Sequence, residues 1–159
     1  MHLIVFVVRH GATEAGQFDP PLSEEGRASA RIAGRLIHSQ GGRLDLILCS
    51  PLKRAQEHAN FISAATGGRI EVVESLEPEG DPSDVILRLS SLPAGARVAL
   101  VGHMPLLRAF VSELISDHSP VRVEIGRGDV LCIEAGFDAG TFIGALLWHI
   151  PSRMMPEAV

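Results

Sequence analysis

Four short apolar runs, each followed by a stretch with helical spacing, constrain this chain more than any other feature. They are Leu3–Val8, Leu44–Cys49, Ile70–Val73 and Arg97–Val101. Each is too short for a helix, and in Leu3–Val8 apolar residues follow one another without the alternation of a half-exposed strand. That pattern belongs to strands buried on both faces, as in a parallel sheet covered by helices. The helical stretches between them carry their own punctuation. Ser23 offers an N-cap with Glu24 and Glu25 in the first turn, Ala28, Ile32, Ala33, Leu36 and Ile37 recur at helical spacing, and Gly41-Gly42 closes the segment. Ser50-Pro51 opens a second helix, with Ser as cap, Pro at the first helical position, and Leu52, Ala55, Ala59 and Ile62 as the inner stripe up to Gly67-Gly68. A compact loop, Glu74 to Pro82, leads to a third over 83–91. The last puts Leu106, Leu107, Phe110, Val111, Leu114 and Ile115 on one face.

After about residue 116 the pattern changes. Val121–Ile125, Val130–Glu134 and Thr141–His149 read as strands joined by glycine-containing turns, with no helices between them. The expected fold class is therefore α/β, a three-layer α/β/α sandwich whose mostly parallel central sheet carries an antiparallel edge. Residues 1–151 are expected to form one domain and 152–159 a loose C-terminal tail.

Composition narrows the class. The 159 residues suffice for one buried core, and 46% apolar with 21% charged residues is globular. A formal charge of -5 argues against a general nucleic-acid binder, so an anion site must be built locally. Cys49 and Cys132, both in apolar runs, read as buried thiols without zinc or redox spacing. The opening apolar run lacks a basic leader and is ended by Arg9-His10, and no stretch reaches the roughly 18 apolar residues of a membrane span. A cytoplasmic protein without membrane or nucleic-acid partners is expected, its oligomeric state open.

In a wound α/β sheet, sites form beyond the carboxyl ends of the strands. Three polar groups sit there. Arg9-His10-Gly11 follows the first strand, Ser50-Pro51-Leu52-Lys53-Arg54 the second, and Gly102-His103 the fourth. Taken singly, each reads as a solvated loop residue. Together they supply what phosphoryl transfer needs, which is positioning and charge stabilisation. Two guanidinium groups can grip phosphoryl oxygens with fork geometry. A neutral imidazole can attack phosphorus, and a second, protonated, can stabilise the equatorial oxygens. Lys53 and Arg54 stand in the first turn of a helix, where a cation costs about 0.3–1 kcal/mol against the macrodipole. A bound anion would reverse that sign. Lys53 is read as a solvated neighbour. Gly11 is expected to spare the phosphate a side chain. No cofactor is implied.

These segments resemble the histidine phosphatase superfamily, the phosphoglycerate-mutase-like fold. The resemblance runs through Val7-Val8-Arg9-His10-Gly11-Ala12-Thr13-Glu14, Pro21-Leu22-Ser23-Glu24-Glu25-Gly26-Arg27-Ala28, Ser50-Pro51-Leu52-Lys53-Arg54-Ala55 and Val101-Gly102-His103-Met104-Pro105. Within the superfamily, chain length, Leu76-Glu77-Pro78-Glu79-Gly80-Asp81 and Gly-His-x-Pro around His103 are most similar to SixA-type phosphohistidine phosphatases. The resemblance implies His10 as nucleophile, Arg9, Arg54 and His103 as phosphate ligands, and phosphohistidine on signalling or phosphotransfer proteins as substrate.

Mutase-like members carry an acid in a Leu-x-Glu pattern after the third strand, and here proline stands in that place, at position 78. Asp19, Glu77, Glu79 and Asp81 are the candidate proton donors, each of them otherwise a solvated loop carboxylate. An imidazole departs more easily than an alkoxide, so a weak or missing acid points towards N–P substrates. The short 74–82 loop leaves no room for a lid, which suits a phosphorylated protein surface. The alternatives are a small-molecule phosphomonoesterase with the same machinery and a phosphoprotein-binding module without catalysis. A metal hydrolase built on His10 and His103 has little support. The seven histidines (His2, His10, His38, His58, His103, His118, His149) show no HxH or HExxH spacing. His38 and His58 read as solvated helix residues and His149 as structural.

Overall fold

The computed structural model describes residues 2–116 and 119–156. The runs become β1 (Leu3–Arg9), β2 (Leu46–Cys49), β3 (Arg69–Val72), β4 (Arg97–Gly102), β5 (Val130–Asp138) and β6 (Thr141–Ile150). They form one six-stranded sheet in the order β3-β2-β4-β1-β5-β6. β1 to β4 run parallel to one another, while β5 pairs antiparallel with both β1 and β6. The helices are α1 (Glu24–Ser39), α2 (Lys53–Thr66), α3 (Pro82–Ser90) and α4 (Leu106–Ile115). None is long and apolar enough to cross a membrane.

The sheet divides two cores, and β1 explains its own continuous apolar sequence. Leu3, Val5 and Val7 face a core shared with Leu89 of α3 and Phe110 and Leu114 of α4. Phe6 and Val8 face the other, shared with Ala33 and Ile37 of α1 and Ala59 and Ile62 of α2. Because strand side chains alternate between faces, a strand with a core on each side must be apolar at every position. On the second side Gly34 lets α1 and α2 approach closely, since a Cβ there would stand 3.0 Å from the Phe61 carbonyl oxygen. This is the three-layer α/β/α sandwich with an antiparallel edge that the sequence predicts.

Three local expectations are corrected. Residues 121–125 form no strand. Their alternation buries Val123 and Ile125 in the core, but their backbone groups bond to side chains instead of a ladder. The Val121 amide donates to Ser112 Oγ (2.8 Å), and the carbonyls of Val123 and Ile125 accept from Arg108 Nε (3.3 Å) and an Arg9 terminal nitrogen (2.8 Å). α2 begins at Lys53, not at Ser50-Pro51. Leu52 is its N-cap and caps with no side chain. Ser50 Oγ instead accepts the Leu52 amide at 3.2 Å and turns to a histidine considered below. The chain past 151 is not loose where described. Ser152–Met154 forms a 3-10 turn, the Ser152 amide donates to Asp129 Oδ1 at 2.8 Å, and Met155 is buried in the α1/α2 core. Residues 157–159 of the expected tail, and His118, lie outside the described residues.

Candidate active site

The parallel strands deliver their carboxyl ends to one edge. β1 and β4 pair in register at Arg9 and Gly102, and the His10 amide donates to the Gly102 carbonyl at 3.2 Å. His10 and His103, one residue past each strand, are thereby neighbours, with ring centroids 4.9 Å apart and planes at 54°. β2 pairs with β4 up to Cys49 and Val101, which brings Ser50 beside them. Arg54, in the first turn of α2, reaches over so that its Nε donates to His10 Nε2 at 3.3 Å. The result is a cavity of about 310 Å³ lined by Arg9, His10, Arg54 and His103, with Arg127, Thr13, Phe18 and Pro78 completing the wall. The four residues expected at the site therefore stand together.

Hydrogen bonds give each ring a defined face. His10 is buried, and its Nδ1 lies 2.7 Å from the Gly11 carbonyl oxygen. A carbonyl only accepts, so Nδ1 carries the proton and Nε2 the lone pair. His103 Nε2 lies 2.8 Å from Ser50 Oγ, while its Nδ1 is buried without a partner. With the Ser50 hydroxyl donating to Nε2, the proton sits on the buried Nδ1. Arg9 spends one terminal nitrogen on the Ile125 carbonyl, which orients the guanidinium, and lines the cavity with the rest.

The electrostatics correct one expectation and explain another. Burial, followed by the neighbouring arginines Arg54, Arg9 and Arg127, lowers the His10 pKa to about 4, although the Gly11 carbonyl bond pulls the other way. Neutral His10 is what a nucleophile requires. His103, expected to be protonated, is lowered to about 3 by burial, then by His10, Arg54 and Arg9. It is therefore neutral at pH 7 beside the positive Arg54 and Arg9, and an incoming dianion would supply the opposing charge. The Arg9 pKa is also lowered, chiefly by burial and then by Arg127.

The candidate proton donors are dispersed. Glu77, Glu79 and Asp81 do not line the cavity, and Asp81 caps α3 by accepting the Ser83 amide at 2.9 Å. Pro78 reaches the wall in their stead. Asp19 pairs with a residue of the site, 3.8 Å from an Arg54 terminal nitrogen, with its Oδ1 accepting the Lys53 amide at 3.1 Å. Its carboxylate thus already serves the α2 N-terminus and the basic side chains there. Gly11 is required for a reason other than the phosphate. A Cβ would lie 2.8 Å from the Gly26 carbonyl oxygen, so α1 packs directly on it.

Sequence reasoning misplaced His58 and missed Ser50 and Arg127. His58 is wholly buried, not solvated, and its Nδ1 accepts the Gly11 amide at 3.0 Å. Burial and then His10 lower its pKa to about 3. The signal was available, since position 58 falls within the inner stripe of Ala55, Ala59 and Ile62 and one turn from Arg54. Arg127 follows no recognisable pattern, because its loop is positioned from afar by Arg9 and Asp129. His38 is exposed, as expected, and His149 is structural, its Nε2 3.0 Å from Asp129 Oδ2.

Residues 5–78 match the model of the histidine phosphatase superfamily (branch 1). An uncharacterized protein of Picosynechococcus sp. is 25% identical over 140 residues, covering 83% of this chain and 85% of that one. A 2,3-bisphosphoglycerate-dependent phosphoglycerate mutase of Parvibaculum lavamentivorans is 36% identical over 80 residues, which is 45% of this chain and only 38% of the mutase. In fold, the chain is similar to the protein histidine phosphatase SixA complexed with tungstate, with a TM-score of 0.81 at 23% identity, covering 94% of this chain and 97% of that one. It is also similar to mycobacterial glucosyl-3-phosphoglycerate phosphatase, with a TM-score of 0.69 at 20% identity, covering 91% and 97%.

Proposed function

We infer that this chain, which belongs to the histidine phosphatase superfamily, is a phosphatase that forms a phosphoryl intermediate on His10 and takes its phosphoryl group from phosphohistidine on a protein surface. On substrate binding Arg54 exchanges its bond to His10 Nε2 for a non-bridging oxygen, the freed lone pair attacks phosphorus, and Arg9, Arg54 and His103 stabilise the charge on the phosphoryl oxygens. The P–N bond of the substrate breaks, and its electron pair returns to the departing imidazole. Water then attacks the phosphoryl group on His10, releasing phosphate and restoring the neutral ring.

One observation carries the choice of substrate. Among the described residues the cavity wall holds arginines and imidazoles but no carboxylate, and Pro78 occupies the place where an acid is expected. An alkoxide needs a proton as it leaves, whereas an imidazole already protonated on its other nitrogen departs neutral. A second reading, a small-molecule phosphomonoesterase, is favoured by Asp19, whose carboxylate is 3.8 Å from Arg54.

The test is rapid acid quench of the enzyme with phosphohistidine and with 3-phosphoglycerate, both carrying labelled phosphorus. Acid-labile label on the protein, absent from His10→Ala, is expected with phosphohistidine, together with faster turnover of that substrate. Faster turnover of 3-phosphoglycerate would favour the second reading. Phosphate release that survives His10→Ala unchanged would contradict the nucleophile assignment.

A further inference from the structure

His58 is the most buried ionisable side chain near the cavity, yet it does not line it. Its two nitrogens are in contrasting situations. Nδ1 accepts the Gly11 amide at 3.0 Å, and Nε2 is buried with no partner. An imidazole nitrogen that accepts from an amide carries no proton, so the His58 proton must be on Nε2. A buried donor without a partner costs about 1–3 kcal/mol. An apolar residue would avoid that cost, since the neighbouring stripe positions Ala55, Ala59 and Ile62 are apolar and fully buried.

What the ring does for that cost lies one residue away. The Gly11 amide is held by His58, and the Gly11 carbonyl receives the His10 Nδ1 proton at 2.7 Å. The same glycine is pressed against the Gly26 backbone, and the His10 amide is bound to the Gly102 carbonyl. Glycine is the residue with the widest backbone freedom. Without the His58 bond, the Gly11 amide would lose its partner, and the peptide between His10 and Gly11 would be held only by the Gly128 amide on the His10 carbonyl (3.1 Å). The Gly11 carbonyl belongs to the next peptide, across the same α-carbon, and would shift as the glycine's dihedrals relax.

We propose that His58 is a positioning residue: by holding the Gly11 amide it fixes the carbonyl that keeps the proton on His10 Nδ1, and so aims the Nε2 lone pair into the cavity. This rests on the reading of His10 as nucleophile. His58 acts from outside the cavity lining and so touches no phosphoryl oxygen. It therefore bears on kcat and leaves phosphate binding to Arg9, Arg54 and His103. Misaiming a reacting group by about 1 Å costs on the order of 100-fold in rate.

The first test needs no activity. A scalar coupling across the N–H···N bond between the Gly11 amide nitrogen and His58 Nδ1 is expected in the labelled wild-type protein, and its absence would overturn the proposal. The second uses His58→Leu and His58→Asn with phosphoramidate as substrate. Leu removes the acceptor, and Asn returns an oxygen near the Nδ1 position. His58→Leu is expected to lower kcat 10- to 100-fold with KM changed less than threefold, and the 15N shifts of His10 are expected to show a mixture of tautomers. His58→Asn is expected to recover most of the rate and the single tautomer. A folded His58→Leu with wild-type kcat and a single His10 tautomer would overturn the proposal, as would an Asn variant no better than Leu. If wild type does not turn over phosphoramidate while the coupling is present, the failure belongs to the N–P reading and not to the positioning bond.

Discussion

Single side chains decide what this cavity can do with a leaving group. Pro78 stands at the wall, while Glu77 and Glu79 on either side of it do not line the cavity. Pro78→Glu would put a carboxylate there. It is expected to raise kcat on 3-phosphoglycerate about tenfold or more, general acids being worth roughly 10²–10⁴ when well placed, while turnover of phosphohistidine changes little. Steady-state rates on the two substrates check this. No gain on the alkyl phosphate would mean that the missing acid is not what limits the site. Asp19 works in the opposite sense. Its carboxylate sits 3.8 Å from Arg54 and on the Lys53 amide, where a phosphoryl anion would compete with it. Asp19→Asn keeps a capping oxygen and removes the charge. Inorganic phosphate is expected to inhibit the variant about three- to tenfold more tightly, corresponding to about 1 kcal/mol. Weaker inhibition would show that Asp19 helps to orient Arg54 instead of competing for it.

At the scale of elements, the site depends on one segment with no regular structure. Residues 121–129 close one wall and supply Arg127, and their anchor is Asp129. That buried carboxylate accepts from the Gly126 amide (2.7 Å), the Ser152 amide (2.8 Å) and His149 Nε2 (3.0 Å), and so ties the loop to the end of β6 and to the C-terminal turn. Asp129→Ala leaves these donors buried and unpaired, at an expected cost of about 3 kcal/mol. Urea unfolding would measure it, and a loss below about 0.5 kcal/mol would show that water replaces the carboxylate without penalty. The α2 N-terminus is the contrasting case. Ser50-Pro51 is a strong start signal, but the tertiary structure uses Ser50 on His103 and starts the helix at Lys53, with Asp19 from another loop completing its first turn.

For the whole molecule, the chief consequence is a dependence on pH. His10, His58 and His103 have folded pKa values lowered to between about 3 and 4, and in each case burial is the largest cause. The unfolded chain, with ordinary imidazoles near 6.5, binds more protons than the folded one below that value. Stability is therefore complete above about pH 6.5 and is lost as pH falls towards 4 and 3. At pH 5 each ring contributes a loss of up to about 2 kcal/mol, less where their mutual repulsion is counted twice. A lower melting temperature at pH 5 than at pH 7 is expected, with partial recovery on adding phosphate, whose charge favours the protonated rings of His10 and His103. An unchanged melting temperature between pH 7 and 5 would contradict the burial-driven shifts.

The sequence by itself determined the layered architecture, because a strand with a core on each face must be apolar at every position and a helix with one buried face must be apolar at every third or fourth. It also marked Arg9, His10 and His103, because polar residues at the ends of buried strands are placed by the sheet and not by their own neighbours, and Arg54, because a cation in a helix's first turn opposes the macrodipole unless an anion is bound. It misread residues 121–125, whose alternation is that of a strand but whose carbonyls are taken by Arg9 and Arg108. It also misread His58, where a ring in an apolar stripe was assigned to solvent. Only the tertiary structure decided which nitrogen of His10 faces the cavity, that His103 is neutral, and that Gly11 is demanded by the α1 backbone. Each of these depends on a partner from elsewhere in the fold, and distances of that kind carry no signature in local composition or spacing.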